Sequence, residues 1–233
     1  MSDVRLFFQE AGEGFPLVLL HGNGEDSSYF VHQIAAFSAD YRVIAVDTRG
    51  HGRSPRGGAP FTLEQFALDL RDFLDERGIE RAHLLGFSDG ANIALIFALR
   101  FPGRVKRLVL DGGNLFPGGV KRSVQLPIEF AYWLTKPFSR FSCRARAKHE
   151  LLALMVEQPD STPEQLGALT MPVLVMAGTD DMILDEHTRL IHRSIPGSRL
   201  RLIPGGHFIA RENPEPFNRA VLDFLQYEEV DMP

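Results

Sequence analysis

The sequence predicts one α/β domain, a mostly parallel central sheet flanked by helices, with a helical insertion in its second half. Three observations predict it. Short apolar runs, β-branched or rich in leucine, alternate with longer stretches of helical period. Most of these runs are apolar throughout, as strands are when helices cover both faces of a sheet. The 233 residues, 44% of them hydrophobic, suit one fairly large core better than two small ones.

In chain order, strands are expected at residues 4–9, 17–20, 42–47, 82–87, 105–111, 173–178 and 200–203. A helix over 62–77 opens on Thr62 and Gln65, a capping box whose side chains satisfy the first free N–H groups. Thr162 and Gln165 repeat the device before the sixth strand. Asn213, followed by Pro214 and Glu215, marks the start of a C-terminal helix, because Asn accepts from a first turn and Pro at the first position loses no needed donor. The core is thus expected at 1–114 and 172–233, and residues 115–171, rich in aromatic and basic side chains, interrupt it as an inserted lid. Phe116, Phe130, Tyr132, Trp133, Phe138 and Phe141 lie in that insertion, where they either line an acyl pocket or pack, and packing is the default for each.

The formal net charge is −5. Residues 115–150 hold seven Lys or Arg against Glu129 and Glu150, a local +5 that leaves −10 for the rest. A solvated helical face explains such a cluster by default, with attraction of an anionic substrate or membrane surface as the other reading. The acidic whole argues against a nucleic-acid partner. Cys143 is the only cysteine, so no internal disulfide forms, and neither a signal-peptide core nor a run of about 18 apolar residues occurs. These features predict a cytoplasmic protein without a stable membrane anchor; they leave the oligomeric state unread.

Gly86-Phe87-Ser88-Asp89-Gly90 matches the G-x-S-x-G pattern and stands where that pattern requires, between an apolar strand and a run of helical period. A serine at such a turn presents its Oγ. The flanking glycines keep Cβ atoms out of a crowded approach, and the helix N-terminus favours an anion beside the serine. After the second strand, His21-Gly22-Asn23-Gly24 can turn backbone N–H groups toward the same point, so Asn23 and Asp89 are the expected oxyanion donors. His21 reads as a packed histidine that fixes this loop.

Eight histidines compete for the role of base. His207 is selected because Pro204-Gly205-Gly206-His207 forms a loop between the last strand and the last helix, free to lean over the strand ends. His32, His187 and His192 fall on helices, His149 in the insertion and His51 in a loop-shaping segment. A carboxylate must orient the imidazole. Gly178-Thr179-Asp180-Asp181 offers two, and Asp111 at the end of another strand is a third candidate.

Taken together, HGNG, DTRGHGRS, GFSDG, GTDD and GGH followed by ENPEPF resemble the α/β-hydrolase superfamily over nearly the whole length. The resemblance implies Asp181 as the acid, as the last position of Gly-x-x-Asp. It also implies Asn23 and Asp89 as oxyanion donors, a structural role for the 47–54 loop, and a lid between strands six and seven. The Ser-Asp-Gly elbow resembles that of valacyclovir-hydrolase-like amino acid ester hydrolases, in which case Asp89 would meet an amino group; Asp at a helix N-terminus is also simply a good dipole partner.

The expected activity is hydrolysis of a small-molecule carboxylic ester through an acyl-enzyme, with Ser88, His207 and Asp181 as the triad and no cofactor or metal. A thioesterase or carbon–carbon bond hydrolase would use the same residues. Haloalkane dehalogenation is disfavoured because it needs Asp at position 88, and a non-catalytic ligand-binding member because all three triad candidates stand in their motifs.

Overall fold

In chain order the strands of the computed structural model, which describes residues 2–226, are β1 (Phe8–Ala11), β2 (Pro16–Leu20), β3 (Arg42–Val46), β4 (Ala82–Phe87), β5 (Val105–Asp111), β6 (Val173–Gly178) and β7 (Arg199–Ile203). They form one sheet in the order β1-β3-β2-β4-β5-β6-β7. β1 pairs antiparallel with β3 at one edge, and the other pairings are parallel.

β1 begins later than residue 4. The residues before it pair with the 47–58 loop instead: Phe7 N donates to Ser54 Oγ at 2.7 Å, and Asp3 accepts from Arg49 at 2.6 Å and from Gly58 N at 2.6 Å. Val4, apolar as a strand residue should be, is buried beneath that loop.

The helices are α1 (Val31–Phe37), α2 (Leu63–Glu76), α3 (Asp89–Arg100), α4 (Arg122–Thr135), α5 (Cys143–Glu157), α6 (Asp185–Ser194), α7 (Ile209–Glu212) and α8 (Pro214–Gln226). α2, α3 and α6 cover one face of the sheet through Phe66, Phe97 and Ile191; α1 and α8 cover the other through Phe37, Phe217 and Phe224. Both faces are therefore dry, which is why β4 and β6 are buried at every position.

The capping signals place helix starts but only partly make the expected bonds. Thr62 Oγ1 accepts from Gln65 N at 3.2 Å, while the Gln65 amide turns to Asp69 at 3.0 Å rather than back to the cap. The Thr162 box is complete, yet it opens only a 3-10 segment, Pro163–Ala168. α8 starts at Pro214, but the Asn213 side chain donates to Pro204 O and so braces the loop that carries His207.

From β2 the chain moves outward to β3, then returns to the other side of β2 as β4. The carboxyl ends of β2 and β4 thus flank the point where the winding reverses, which is where open α/β sheets form a crevice.

The insertion leaves the sheet after β5 and rejoins it at β6, the fifth and sixth strands of this chain. The expected strands six and seven follow the numbering of the family that the sequence resembles; among the described residues of this chain the same break falls between its fifth and sixth strands. α4 and α5 make a helical pair tied to the core by Arg56 and Glu150, bonded at 2.8 and 3.0 Å. Packing, the default for the insertion's aromatic residues, holds for Tyr132, which is buried against α5, and in part for Phe116, whose ring meets His187 edge-on at 4.7 Å. Phe130, Trp133, Phe138 and Phe141 are exposed, because only one side of the pair meets the core. Among the described residues, no helix is long and apolar enough to cross a membrane.

Candidate active site

β4 delivers Ser88 into a turn whose backbone, at φ 55° and ψ −121°, makes Ser88 the one non-glycine residue with positive φ among the described residues. Such a conformation costs on the order of 1–3 kcal/mol and persists only where the surroundings impose it. Here Ser88 N donates to Asp111 O at 2.8 Å, while Ala91 N and Asn92 N donate back to Ser88 O at 2.9 and 3.1 Å. The flanking glycines permit the turn: a Cβ on Gly86 would stand 2.1 Å from Gly90 O, and one on Gly90 would stand 2.0 Å from Leu20 O.

His207 enters from the loop after β7. Its Nε2 lies 3.0 Å from Ser88 Oγ and its Nδ1 lies 2.7 Å from Asp181 Oδ1. With the carboxylate accepting, Nδ1 carries the proton and leaves Nε2 free to accept from the serine hydroxyl. Asp181 is fixed in turn by Ile183 N on Oδ1 at 2.9 Å and Gly178 N on Oδ2 at 3.3 Å. The imidazole sits beside Phe87 and Phe208, with ring centroids 4.9 and 5.5 Å away.

Of the three candidate carboxylates, Asp181 is the one bonded to His207. Asp180 is exposed and reaches Gly205 O only through its backbone N–H. Asp111 is fully buried with both side-chain oxygens unpartnered, and burial and the neighbouring Asp181 push its pKa well above the ordinary value.

Gly22 stands directly against Ser88, since a Cβ there would lie 3.2 Å from that of Ser88. The next residue is Asn23, and neither its N–H nor that of Asp89 donates to another group among the described residues. The Asn23 side chain donates to Leu151 O on α5 at 2.8 Å and so links this loop to the insertion. His21 braces the loop from below: its Nδ1 donates to Gly22 O at 2.7 Å and its Nε2 accepts from Thr48 N at 3.0 Å. Burial and nearby His51 lower its pKa to about 4, so it is neutral. Asp47 ties the adjoining loop together through Ser27 N at 2.7 Å and Arg53 N at 2.8 Å.

Asp89 is half-buried. Its Oδ1 accepts weakly from Asn92 at 3.4 Å, and its Oδ2 is enclosed without a partner. Burial raises its pKa to about 6 against the pull of the Asn92 and Asn23 amides. Asn92 also donates to Asn114 at 3.0 Å, which connects the elbow helix to the start of the insertion.

Sequence reasoning passed over Glu25 and Tyr29. Glu25 has its pKa raised by burial, with Arg211 and His207 pulling it back, and the buried Tyr29 stacks on Phe87 at 4.4 Å. The only available signal was their position just after Asn23. Among the described residues, no group of three or more His, Cys, Asp or Glu could hold a metal ion.

Comparison with known proteins bears on the family and the fold. The family model described as alpha/beta hydrolase fold matches residues 16–135. A 2-hydroxy-6-oxononadienedioate/2-hydroxy-6-oxononatrienedioate hydrolase of Pseudomonas putida is 32% identical, over 97% of this chain and 93% of its own. Among solved structures, a hydrolase from Pseudomonas aeruginosa PA01 is 28% identical, with a TM-score of 0.78 over 96% of this chain and 94% of that one. A thermophilic esterase from Thermogutta terrifontis is 26% identical, with a TM-score of 0.78 over 96% and 93%.

Proposed function

Because the chain belongs to the alpha/beta hydrolase fold family, we propose that it is a serine hydrolase that cleaves a small carboxylic ester through an acyl-enzyme. The observation that carries this reading is the unbroken line from Asp181 through His207 to Ser88, at 2.7 and 3.0 Å. Ser88 Oγ attacks the carbonyl carbon as its proton passes to His207 Nε2. Asp181 holds the imidazole and stabilises the imidazolium. The oxyanion is met by the N–H groups of Asn23 and Asp89; loss of one such donor typically costs about 3 to 4 kcal/mol. The C–O bond breaks, the alcohol leaves with the proton from His207, and water repeats the cycle on the acyl-enzyme. Residues 115–171 serve as the lid over a core of 1–114 and 172–233.

Asp89 narrows the acyl group. A half-buried carboxylate with an unpartnered oxygen next to the nucleophile favours a neutral or ammonium-bearing acyl group and repels an anionic one. It therefore weighs against the second reading, carbon–carbon bond cleavage of a dicarboxylate, which the name of the Pseudomonas putida relative favours.

A fluorophosphonate probe and a panel of p-nitrophenyl esters of graded length and charge test the proposal. The probe should label the wild type, and Ser88→Ala should abolish labelling and lower kcat by about 10⁴-fold or more, because triad members act as a unit. Full esterase activity in Ser88→Ala would refute the assignment. Turnover of a dienedioate faster than every ester would establish the second reading instead.

A further inference from the structure

The inserted segment carries a surface that this chemistry does not use. On α4, Leu126, Phe130, Trp133 and Leu134 recur at helical spacing on the side turned away from Gln125 and Tyr132, which bond to α5. Phe130 is 72% exposed and Trp133 63%, and Phe141 just beyond is 86% exposed. Leu126, Leu134 and Phe138 are open as well. Six large apolar side chains within residues 126–141 form a patch, and patches of this kind mark a contact surface. Exposed cations stand in and after this stretch: Lys136 and Arg140 within it, and Arg144 and Lys148 farther along on α5. Lys136 Nζ stands 4.9 Å over the Trp133 ring. Of the two acids in residues 115–150, Glu150 is paired with Arg56 and Glu129 is half-buried.

Charge and apolarity together select the occupant. A second copy meeting this face with its own would bring +5 against +5. A head-to-tail copy would offer acidic surface, but among the described residues the other large exposed apolar side chains are only Val31, Phe116 and Leu184. Lipid acyl chains take up aromatic side chains, and anionic headgroups attract Lys and Arg. We infer that the outer face of the insertion docks on an anionic lipid surface, with the aromatic side chains in the headgroup region and the cations against lipid phosphate. The contact is peripheral, and it holds whatever acyl group Ser88 takes. Because α5 is joined to the Asn23 loop through Leu151 O, docking fixes the segment that borders the site.

Trp133 is the only tryptophan in the chain, so its fluorescence reports on this face alone. The full chain is mixed with vesicles of phosphatidylcholine, or of equal parts phosphatidylcholine and phosphatidylglycerol, and followed by emission and by co-sedimentation. The expected result is a blue shift and at least tenfold more pelleted protein with the anionic vesicles, reversed by about 0.5 M salt, where screening contracts to a few ångströms. Phe130→Ser with Phe141→Ser, and separately Lys136→Glu with Arg140→Glu, should each abolish pelleting while leaving ester hydrolysis and probe labelling intact, which shows that the variants are folded. Three results overturn the inference. One is no pelleting on anionic vesicles at low salt. Another is pelleting that survives the phenylalanine changes, which leaves only a cationic surface. The third is a blue-shifted Trp133 without vesicles that dilution reverses, in a protein that ignores lipid, which assigns the face to a second copy.

Discussion

Gly112 adopts φ +61° immediately behind the proposed base, and a Cβ added there would lie 2.8 Å from His207 Cε1 and 3.0 Å from its Nδ1. Gly112→Ala should therefore displace the imidazole, and a misplacement near 1 Å can cost about 100-fold in rate. The expected outcome is a fall of that order in kcat, with slowed probe labelling and little change in KM; an unchanged kcat would mean the ring has room to move. Asp89 gives a pH-dependent expectation. Its pKa in the fold is about 6 against an ordinary 3.8, so the fold disfavours the carboxylate. That penalty is present in full above about pH 6 and vanishes as the pH falls toward 4. Asp89→Asn should raise thermal stability at pH 8 by at most about 3 kcal/mol, at 1.36 kcal/mol per pKa unit, and the gap should close in melts taken between pH 6 and 4. The same variant should lose any preference for an alanine ester over an acetate ester of one phenol. At this scale Ser88 and His207 were readable because each sits in a glycine-bearing turn that constrains the backbone. The environment of Asp111 was not: the burial and the neighbouring Asp181 that raise its pKa exist only once the sheet has closed.

Elements are held by side chains that no periodicity reveals. Arg49 has no solvent exposure; it forks onto Asp69 of α2 at 2.6 and 2.7 Å, reaches Asp3 at 2.6 Å and donates to Arg56 O at 3.0 Å. One guanidinium thus joins the 47–58 loop, α2 and the N-terminal segment. Asp69→Asn should cost about 3 kcal/mol or more in urea unfolding, because it leaves a buried charge half-paired. A loss under about 1 kcal/mol would mean that Asp3 alone suffices. The strand positions were legible because two-sided burial leaves continuous apolar runs. The first strand was misplaced because Val4 and Leu6 look like strand residues, while that stretch bonds through side chains, those of Ser54 and Asp3, to a loop some fifty residues on. The cap at Asn213 was legible as a helix start, but its side-chain partner, Pro204 O, belongs to the His207 loop and is invisible to local reading.

For the molecule as a whole, the fold class followed from the alternation of strand and helix periods, and the insertion from the break in it. Which side of α4 faces outward was not readable, because the pattern is apolar nearly all round and only the position of α5 decides it. Ser88 and His207 are 119 residues apart, and Asp181 lies 26 before His207. A reactive serine therefore does not exist anywhere along a growing or partly collapsed chain; it appears only when β4, β6 and β7 have joined one sheet. Parallel pairing over such separations is slow relative to helix formation. In refolding from urea, recovery of fluorophosphonate labelling should trail recovery of helical circular dichroism, and coincident recovery would count against this order. Chemical silence until closure protects other molecules from the half-made protein as much as it delays its own work.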